Sequence, residues 1–395
     1  MQKIIYVSNV SVIGGANNAL FRLMEKIKNK YDISLILPKK DSAFKMFNGL
    51  EIPIYFESKM GILGHSTGLK YEWYRTPQLI RDIIKIPFSI NAFIKLFTRL
   101  KPDIVHLNSS VLAGPALAAK LLKIKIVWHI REHLIEDFRG RLFVSIIGII
   151  ADRILAINKS TARVFRKSKV DVLYDVVDLD RFDKDIKSRK LKDLVKYSNN
   201  ELLVGFFGGI NRIKGSLDFL EAARYLIEND NKNKYKFIIV GKINQINNPL
   251  SVLNYNRCLL KKYLLKVDNI VSNYKDSIFI LGERDDIPEL MSEMDIIVVA
   301  HKDPHSALPS IEAGAMNKPV VAYDWDEISE IVKNNISGFT IRKHTPENLS
   351  KKIRLLAENN DLRKLFGKNG YKIIKDNYSF HAIREKINKI YKVLD

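Results

Sequence analysis

Arg212 and Lys214 stand in the loop FFGGINRIKGSLDFL, after two glycines, Gly208 and Gly209, that end a β-branched run. A third glycine, Gly215, opens a helical pattern behind them. Two cations beside a helix N-terminus suit a diphosphate, because unpaired N–H groups and the helix dipole already favour negative charge there. The plain alternative is a solvated basic turn. A second stretch, HSALPSIEAGAMNKPVVA from His305 to Ala322, reads as a polar loop, a helix around Ile311 to Met316 and a strand. Its loop feeds a helix N-terminus, and Glu312 sits just inside that helix as an acceptor pair suited to a diol. Small residues at Ala313, Gly314 and Ala315 let backbone or ligand come close. A phosphate held by amides and a hydroxyl pair held by a carboxylate together describe a nucleotide. The alternative is an ordinary surface βαβ unit.

Two further loops carry candidates. In SNVSVIGGANNAL, Gly14 and Gly15 let backbone approach a ligand before a helix that starts near Asn17 or Asn18. The two glycines are adjacent, so this is not the GxGxxG dinucleotide fingerprint, and a tight turn is the competing reading. His129 ends a strand in KIVWHIREHL, with Arg131, Glu132 and His133 close behind. An isolated histidine there is often a hydrogen-bonded core residue, but this run is denser in polar groups than packing requires. The chain has no Walker A spacing, no HExxH, no Cys/His cluster and no GxSxG. P-loop ATP hydrolysis, zinc chemistry and serine-hydrolase chemistry therefore lack support.

These loops need strands to position them. Short β-branched runs alternate with helical patterns: Ile4 to Ser8, Ile33 to Leu37, Ile104 to Leu107, Ile126 to Ile130, Ile154 to Ile157 and Val170 to Tyr174 in the first half. A second series follows at Leu202 to Phe207, Phe237 to Val240, Ile278 to Leu281, Ile296 to Val299 and Val320 to Ala322. Runs of this length, apolar on both faces, suit parallel sheets covered by helices. The fold class is α/β, as two doubly wound Rossmann-like domains. Between the series, the polar passage Asp180 to Glu201 shows nothing that favours burial. It sets a first domain at 1–185, a linker at 186–200 and a second domain at 201–375. Ligands sit outside the carboxyl ends of such strands, and two such domains facing each other make a cleft.

The totals narrow the partners. At 395 residues two domains are the default, and a net charge of +21 points to an anionic partner. The one cysteine, Cys258, excludes an internal disulfide and fits a reducing compartment. The N-terminus reads as a strand, not a signal peptide, and the longest near-uncharged apolar run, Leu142 to Ala151, is too short to span a bilayer. Leu79 to Lys101 carries Arg81, Lys85, Lys95, Arg99 and Lys101 among Ile, Phe and Leu. Basic amphipathic helices of this kind lie on anionic membranes, but a core-facing helix with a charged outer side is the commoner case, and Pro87 breaks the pattern. Nucleic acid lacks a recognisable module.

Taken together, the motifs resemble the retaining glycosyltransferases of the GT-B fold, family 4 (glycosyl transferases group 1). The resemblance rests on GGANNAL, PDIVHLNSS, VWHIREH, LYDVVDLDRF, GGINRIKG, LGERDDIPELMSEMDIIV and PSIEAGAMNKPVVA, in that order over nearly the whole chain. It implies transfer of a sugar from a UDP- or GDP-linked donor to a polysaccharide or lipid-linked glycan, with anomeric retention and with no metal or other cofactor. The basic charge and the apolar basic stretches point to a cytoplasmic enzyme at the inner membrane face, and the resemblance implies a last segment, 376–395, that crosses back onto the first domain. By the same resemblance Gly14, Gly15 and Gly209 lie near the donor, Lys214 holds diphosphate oxygens, and Glu312 takes the ribose hydroxyls. His129 faces the transferred sugar, and amides of Ser306, Ala307 and Leu308 meet sugar or phosphate.

Three positions depart from the family's pattern. The glutamate usual eight residues before the ribose-binding one is Pro304, with Asp303 adjacent as a substitute. The arginine usual five before the lysine is Gly209, with Arg212 nearby. The usual Asn-Gly before Val-Asp is Asp175-Val176. The altered acidic position motivates an alternative, a non-catalytic GT-B partner that binds nucleotide or glycan without turnover. An NAD-dependent enzyme ranks below both, for want of the glycine fingerprint.

Overall fold

The computed structural model describes residues 1–66, 76–165, 169–230, 234–243, 254–304 and 307–394, with backbone alone for Thr76 and residues 254–258. The chain divides into two compact units, Met1–Val176 with Tyr378–Asp395, and Val177–Asn377.

Among the described residues the first unit holds β1 (Lys3–Val7), β2 (Asp32–Leu37), β3 (Ile54–Phe56), β4 (Ile104–Leu107), β5 (Lys125–Ile130), β6 (Arg153–Ala156) and β7 (Val170–Val172). They lie parallel in the order β3-β2-β1-β4-β5-β6-β7. Strand alternation sends Ile4, Tyr6, Ile33 and Leu35 into one core and Ile5, Val7, Val105 and Leu107 into another. The first core is closed by Leu20, Leu23 and Met24 of the helix Gly15–Ile27, and by Ile383, Ile387, Ile390 and Tyr391 of the helix Phe380–Lys392. The second is closed by Phe93 and Phe97 of the helix Thr76–Leu100. That helix runs through Pro87, where the sequence suggested a break. One missing N–H bond is tolerated because the C-terminal half is anchored by buried Phe93, Leu96, Phe97 and Leu100.

The second unit holds β8 (Glu201–Phe206), β9 (Lys234–Ile239), β10 (Ile278–Ile280), β11 (Ile296–Val299), β12 (Val320–Tyr323) and β13 (Gly338–Ile341). They are parallel in the order β10-β9-β8-β11-β12-β13. Phe206, Phe219, Phe237, Tyr323 and Phe339 belong to its core. The passage read from sequence as a linker at 186–200 is part of this unit, and the division falls at Val176–Val177. Phe182, Leu191 and Val195 are buried, the Leu191 amide donates to Glu293 (2.9 Å), and the Tyr197 hydroxyl donates to the same carboxylate (2.7 Å). A few apolar side chains at helical spacing hold a segment whose composition is otherwise polar.

Both sheets reverse direction of growth once, between β1 and β4 and between β8 and β11. In open α/β sheets that switch point is where adjacent loops diverge and leave room for a ligand. The loops to inspect are therefore those after β1, β4, β8 and β11, together with their neighbours.

Candidate functional site

In the second unit the loop after β8 is shaped by backbone. Gly209 has φ +63° and Gly215 φ +81°, a left-handed region that favours glycine. A Cβ on Gly209 would lie 2.2 Å from the Lys242 carbonyl, and one on Gly215 would lie 1.9 Å from the Ala300 carbonyl. Between them the Asn211 side-chain oxygen accepts from the amides of Ile213 (2.9 Å) and Lys214 (3.3 Å). The Lys302 amide donates to the Ile213 carbonyl (2.8 Å), which ties this loop to the one after β11. Lys214 is part-buried along Gly208, and burial pushes its ammonium below the ordinary lysine value. Arg212 is exposed. The Gly209 geometry also answers one departure from the family's pattern, since no arginine side chain fits where a Cβ meets a carbonyl.

Past β11, Lys302 pairs with Asp218, and the Tyr323 hydroxyl donates to the same carboxylate (2.6 Å). Lys302 is thereby neutralised within the unit. Asp303 is exposed on the following turn. Ser306 lies outside the described residues. Ala307 is buried and precedes the helix Leu308–Ala315 without a side-chain cap, with Pro309 in its first turn and no acidic residue there. The uncapped first-turn N–H groups keep the partial positive charge of a helix start. The helix begins at Leu308, not near Ile311, so buried Glu312 sits in its second turn. The small residues behind it serve packing: a Cβ on Gly314 would lie 2.5 Å from Ile374 of the helix Asn360–Asn377.

In the first unit, Gly14 is the extended residue before the helix Gly15–Ile27, again with no side-chain cap. Both glycines are exposed, and a Cβ on Gly14 would meet nothing within 4 Å. Asn17 holds the loop, donating to the carbonyls of Val10 (3.0 Å) and Val12 (2.8 Å) and accepting from Ser8 Oγ (2.9 Å).

His129 lies at the end of a buried hydrogen-bonded chain. Tyr6 and Tyr391 share a contact of 2.5 Å, Tyr391 Oη lies 2.8 Å from His106 Nδ1, and His106 Nε2 lies 3.3 Å from His129 Nδ1. Read outward from Tyr6, every donor along the chain finds an acceptor, and His129 carries its proton on Nε2. The reverse order strands the fully buried Tyr6 hydroxyl proton. Burial lowers the His106 pKa to about 3, helped by the Arg131 charge. His129 is likewise held well below the ordinary histidine value by burial, then by Arg131 and His106, with the Leu173 carbonyl opposing. Both rings are neutral at physiological pH.

The polar run after β5 proves to be partly structural. Arg131 Nη2 meets Asp175 Oδ1 at 2.7 Å in a buried ion pair. Glu132 accepts from the Ser109 hydroxyl and from the Ser110 amide (2.9 Å). Sequence reasoning quoted Asp175 only as a departure from the family's pattern. Here it is the counter-charge of Arg131, a partnership between residues 44 positions apart that no local motif signals.

The family described as Glycosyltransferase Family 4 matches residues 13–181, and the one described as Glycosyl transferases group 1 matches residues 187–373. Among curated proteins, the chain is similar to UDP-Gal:alpha-D-GlcNAc-diphosphoundecaprenol alpha-1,3-galactosyltransferase of Escherichia coli. The two are 27% identical over 284 residues, which cover 67% of this chain and 69% of that protein. It is also similar to the capsular polysaccharide biosynthesis glycosyltransferase CapM of Staphylococcus aureus, at 23% identity, covering 77% of this chain and 80% of that one. Among solved structures, Anabaena Alr3699/HepE in complex with UDP and glucose superimposes with a TM-score of 0.76 at 17% identity, covering 99% of this chain and 100% of that one. That likeness speaks for the fold.

Proposed function

The chain belongs to the family 4 glycosyltransferases of the GT-B fold, and from that premise we propose that it transfers a sugar from a UDP- or GDP-linked donor, with retention, to a lipid-linked or polysaccharide glycan. The observation that carries this reading is the switch-point loop of the second unit. It holds Lys214 part-buried, with its ammonium destabilised by desolvation, and the Ile213–Lys302 backbone bond ties it to the loop after β11, the chain segment that leads on to an uncapped helix bearing Glu312. An anion docked at Lys214 would relieve that cost. In the proposed reaction, breaking the glycosidic C–O bond places charge on the departing diphosphate. Lys214, Arg212 and the first-turn amides of the helix Leu308–Ala315 stabilise that charge where it develops. These fixed charges supply the neutralisation that a metal would otherwise give, so we assign the reaction no metal or other cofactor. Glu312 holds the ribose diol, Asp303 stands in for the acidic group absent at Pro304, and the His129 Nε2–H donates to the transferred sugar. Gly14 and Gly15 leave room for the donor to approach the first unit. A UDP-linked donor and a lipid-linked acceptor follow the printed name of the E. coli relative, and a polysaccharide acceptor that of the S. aureus relative.

We also place the reaction at the inner face of the cell membrane. The helix Thr76–Leu100 exposes Ile80, Ile83, Ile84 and Phe88 beside Arg81 and Lys85. The helix Phe138–Ile150 exposes Phe138, Leu142, Ile146 and Ile149 beside Arg139 and Arg141. Apolar side chains among cations suit an anionic bilayer surface. Among the described residues no helix is long and apolar enough to cross a membrane.

Release of UDP or GDP from a panel of nucleotide-sugars, with a polyprenyl-diphosphate glycan as acceptor, tests the reading. Lys214→Ala is expected to lower kcat at least a hundredfold, in line with the loss of a preorganised charge contact. Glu312→Ala is expected to act mainly on donor KM. Full activity in both variants would remove the site assignment, and nucleotide binding without turnover by the wild type would remove the reaction.

A further inference from the structure

The carboxyl edge of the first sheet carries a row of three polar side chains: Ser8 after β1, Asn108 after β4 and His129 near the end of β5. The registers Val7↔Leu107 and Leu107↔Trp128 set the three side by side, and strand alternation puts them on one face. Ser8 is satisfied by Asn17. Asn108 is not: it is 2% exposed, and neither its Nδ2 nor its Oδ1 has a hydrogen-bond partner among the described residues. The neighbouring His129 Nε2, at 3% exposure, makes no hydrogen bond of ordinary geometry among the described residues, and the Leu173 carbonyl acts on its ring. Buried polar groups are paired in the large majority of cases, and each orphan costs roughly 1–3 kcal/mol. A leucine of the same shape would cost the fold nothing. Two orphans on one amide, beside a ring nitrogen without an ordinary hydrogen bond, mark a place where a ligand completes the bonding.

The chemistry of that ligand follows from the amide. Nδ2 donates and Oδ1 accepts, so the complement must present an acceptor and a donor side by side. A phosphodiester or a diphosphate linkage has no proton to give Oδ1, and an acyl chain satisfies neither atom. Two neighbouring hydroxyls of a sugar satisfy both, and a third sugar oxygen accepts from His129. We infer that Asn108 is a specificity-determining residue that reads a hydroxyl pair on the sugar at His129. Resting on the proposed function, that sugar belongs to either the donor or the acceptor.

The test compares wild type with Asn108→Leu and Asn108→Ala, measuring ligand-free thermal stability, donor hydrolysis without acceptor, and full transfer. Asn108→Leu is expected to match or exceed wild-type stability while transfer falls at least tenfold. A donor sugar is read if hydrolysis falls with transfer; an acceptor sugar is read if hydrolysis is unchanged and acceptor KM rises. A deoxy substrate lacking one hydroxyl of the pair should lose tenfold with wild type and nothing further with Asn108→Ala, which serves if the leucine variant does not fold. Wild-type kinetics in both variants, or a leucine variant destabilised in step with its activity, overturns the inference. Absence of transfer by wild type itself would instead refute the glycosyltransfer reading.

Discussion

Acidification should unfold the first unit earlier than its carboxylates alone would, because two of its buried imidazoles refuse protons. His106 and His129 have folded-state values below the ordinary 6.5, His106 at about 3. The unfolded chain takes up a proton at each as pH falls through about 6.5, while the folded chain does not. Stability is therefore intact above that value and declines below it, by about 1.4 kcal/mol per pH unit for each ring once well below. Between pH 7.5 and 5.5 the pair should remove roughly 3 kcal/mol, a large share of a typical domain's 5–15 kcal/mol. Carboxylates titrate mostly below this window. The control is His106→Gln, whose amide can accept from Tyr391 and donate to His129 but does not titrate. Urea unfolding at pH 7.5, 6.5 and 5.5 should show the wild type losing about 1.4 kcal/mol more than the variant over the range. Histidine C–H resonances assigned to His106 and His129 should not move between pH 8 and 5. Equal pH dependence of the two proteins, or either ring titrating near 6.5, refutes the buried neutral chain.

Asp175→Ala leaves the Arg131 charge buried and unpaired, and should cost about 3–5 kcal/mol in denaturant unfolding; a loss under 1 kcal/mol would mean the pair is solvated. Gly215→Ala combines a left-handed backbone with a Cβ 1.9 Å from the Ala300 carbonyl. It should be destabilised well beyond the ~1 kcal/mol of an unstrained glycine replacement and lose nucleotide-induced thermal stabilisation, whereas wild-type melting would show the loop relaxes freely. Co-sedimentation with vesicles containing anionic lipid should fall steeply as salt is raised, and fall again in Ile84→Glu with Phe138→Glu. Absence of binding at low salt would remove the membrane surface.

Strands buried on both faces were legible because burial demands apolar runs, as at Ile296–Val299 and Val320–Tyr323. β3 and β13 escaped because nothing of that kind marks them: Ile54, Tyr55 and Phe56 are partly exposed, and β13 opens on Gly338 and carries Thr340. The loop that carries Gly209 and Lys214 could be read because glycine, cation and helix start are adjacent in sequence, whereas the helix that bears Glu312 starts at Leu308 and not near Ile311. Asp175 and Asn108 could not. One acts through a partner 44 residues away, and the other is notable for a partner it lacks. Neither fact exists before the chain is folded.

The departures from the family's pattern can now be separated by cause. At Gly209 the backbone conformation and the Lys242 carbonyl forbid any large side chain, so the missing arginine goes with the path of this loop. At Asp175 the substitution brings a carboxylate that compensates Arg131, whose charge in turn helps keep His106 and His129 neutral. A neutral asparagine there would take away the carboxylate that pairs with the guanidinium. Pro304 has no such compensation built into the fold. Asp303 stands exposed beside it.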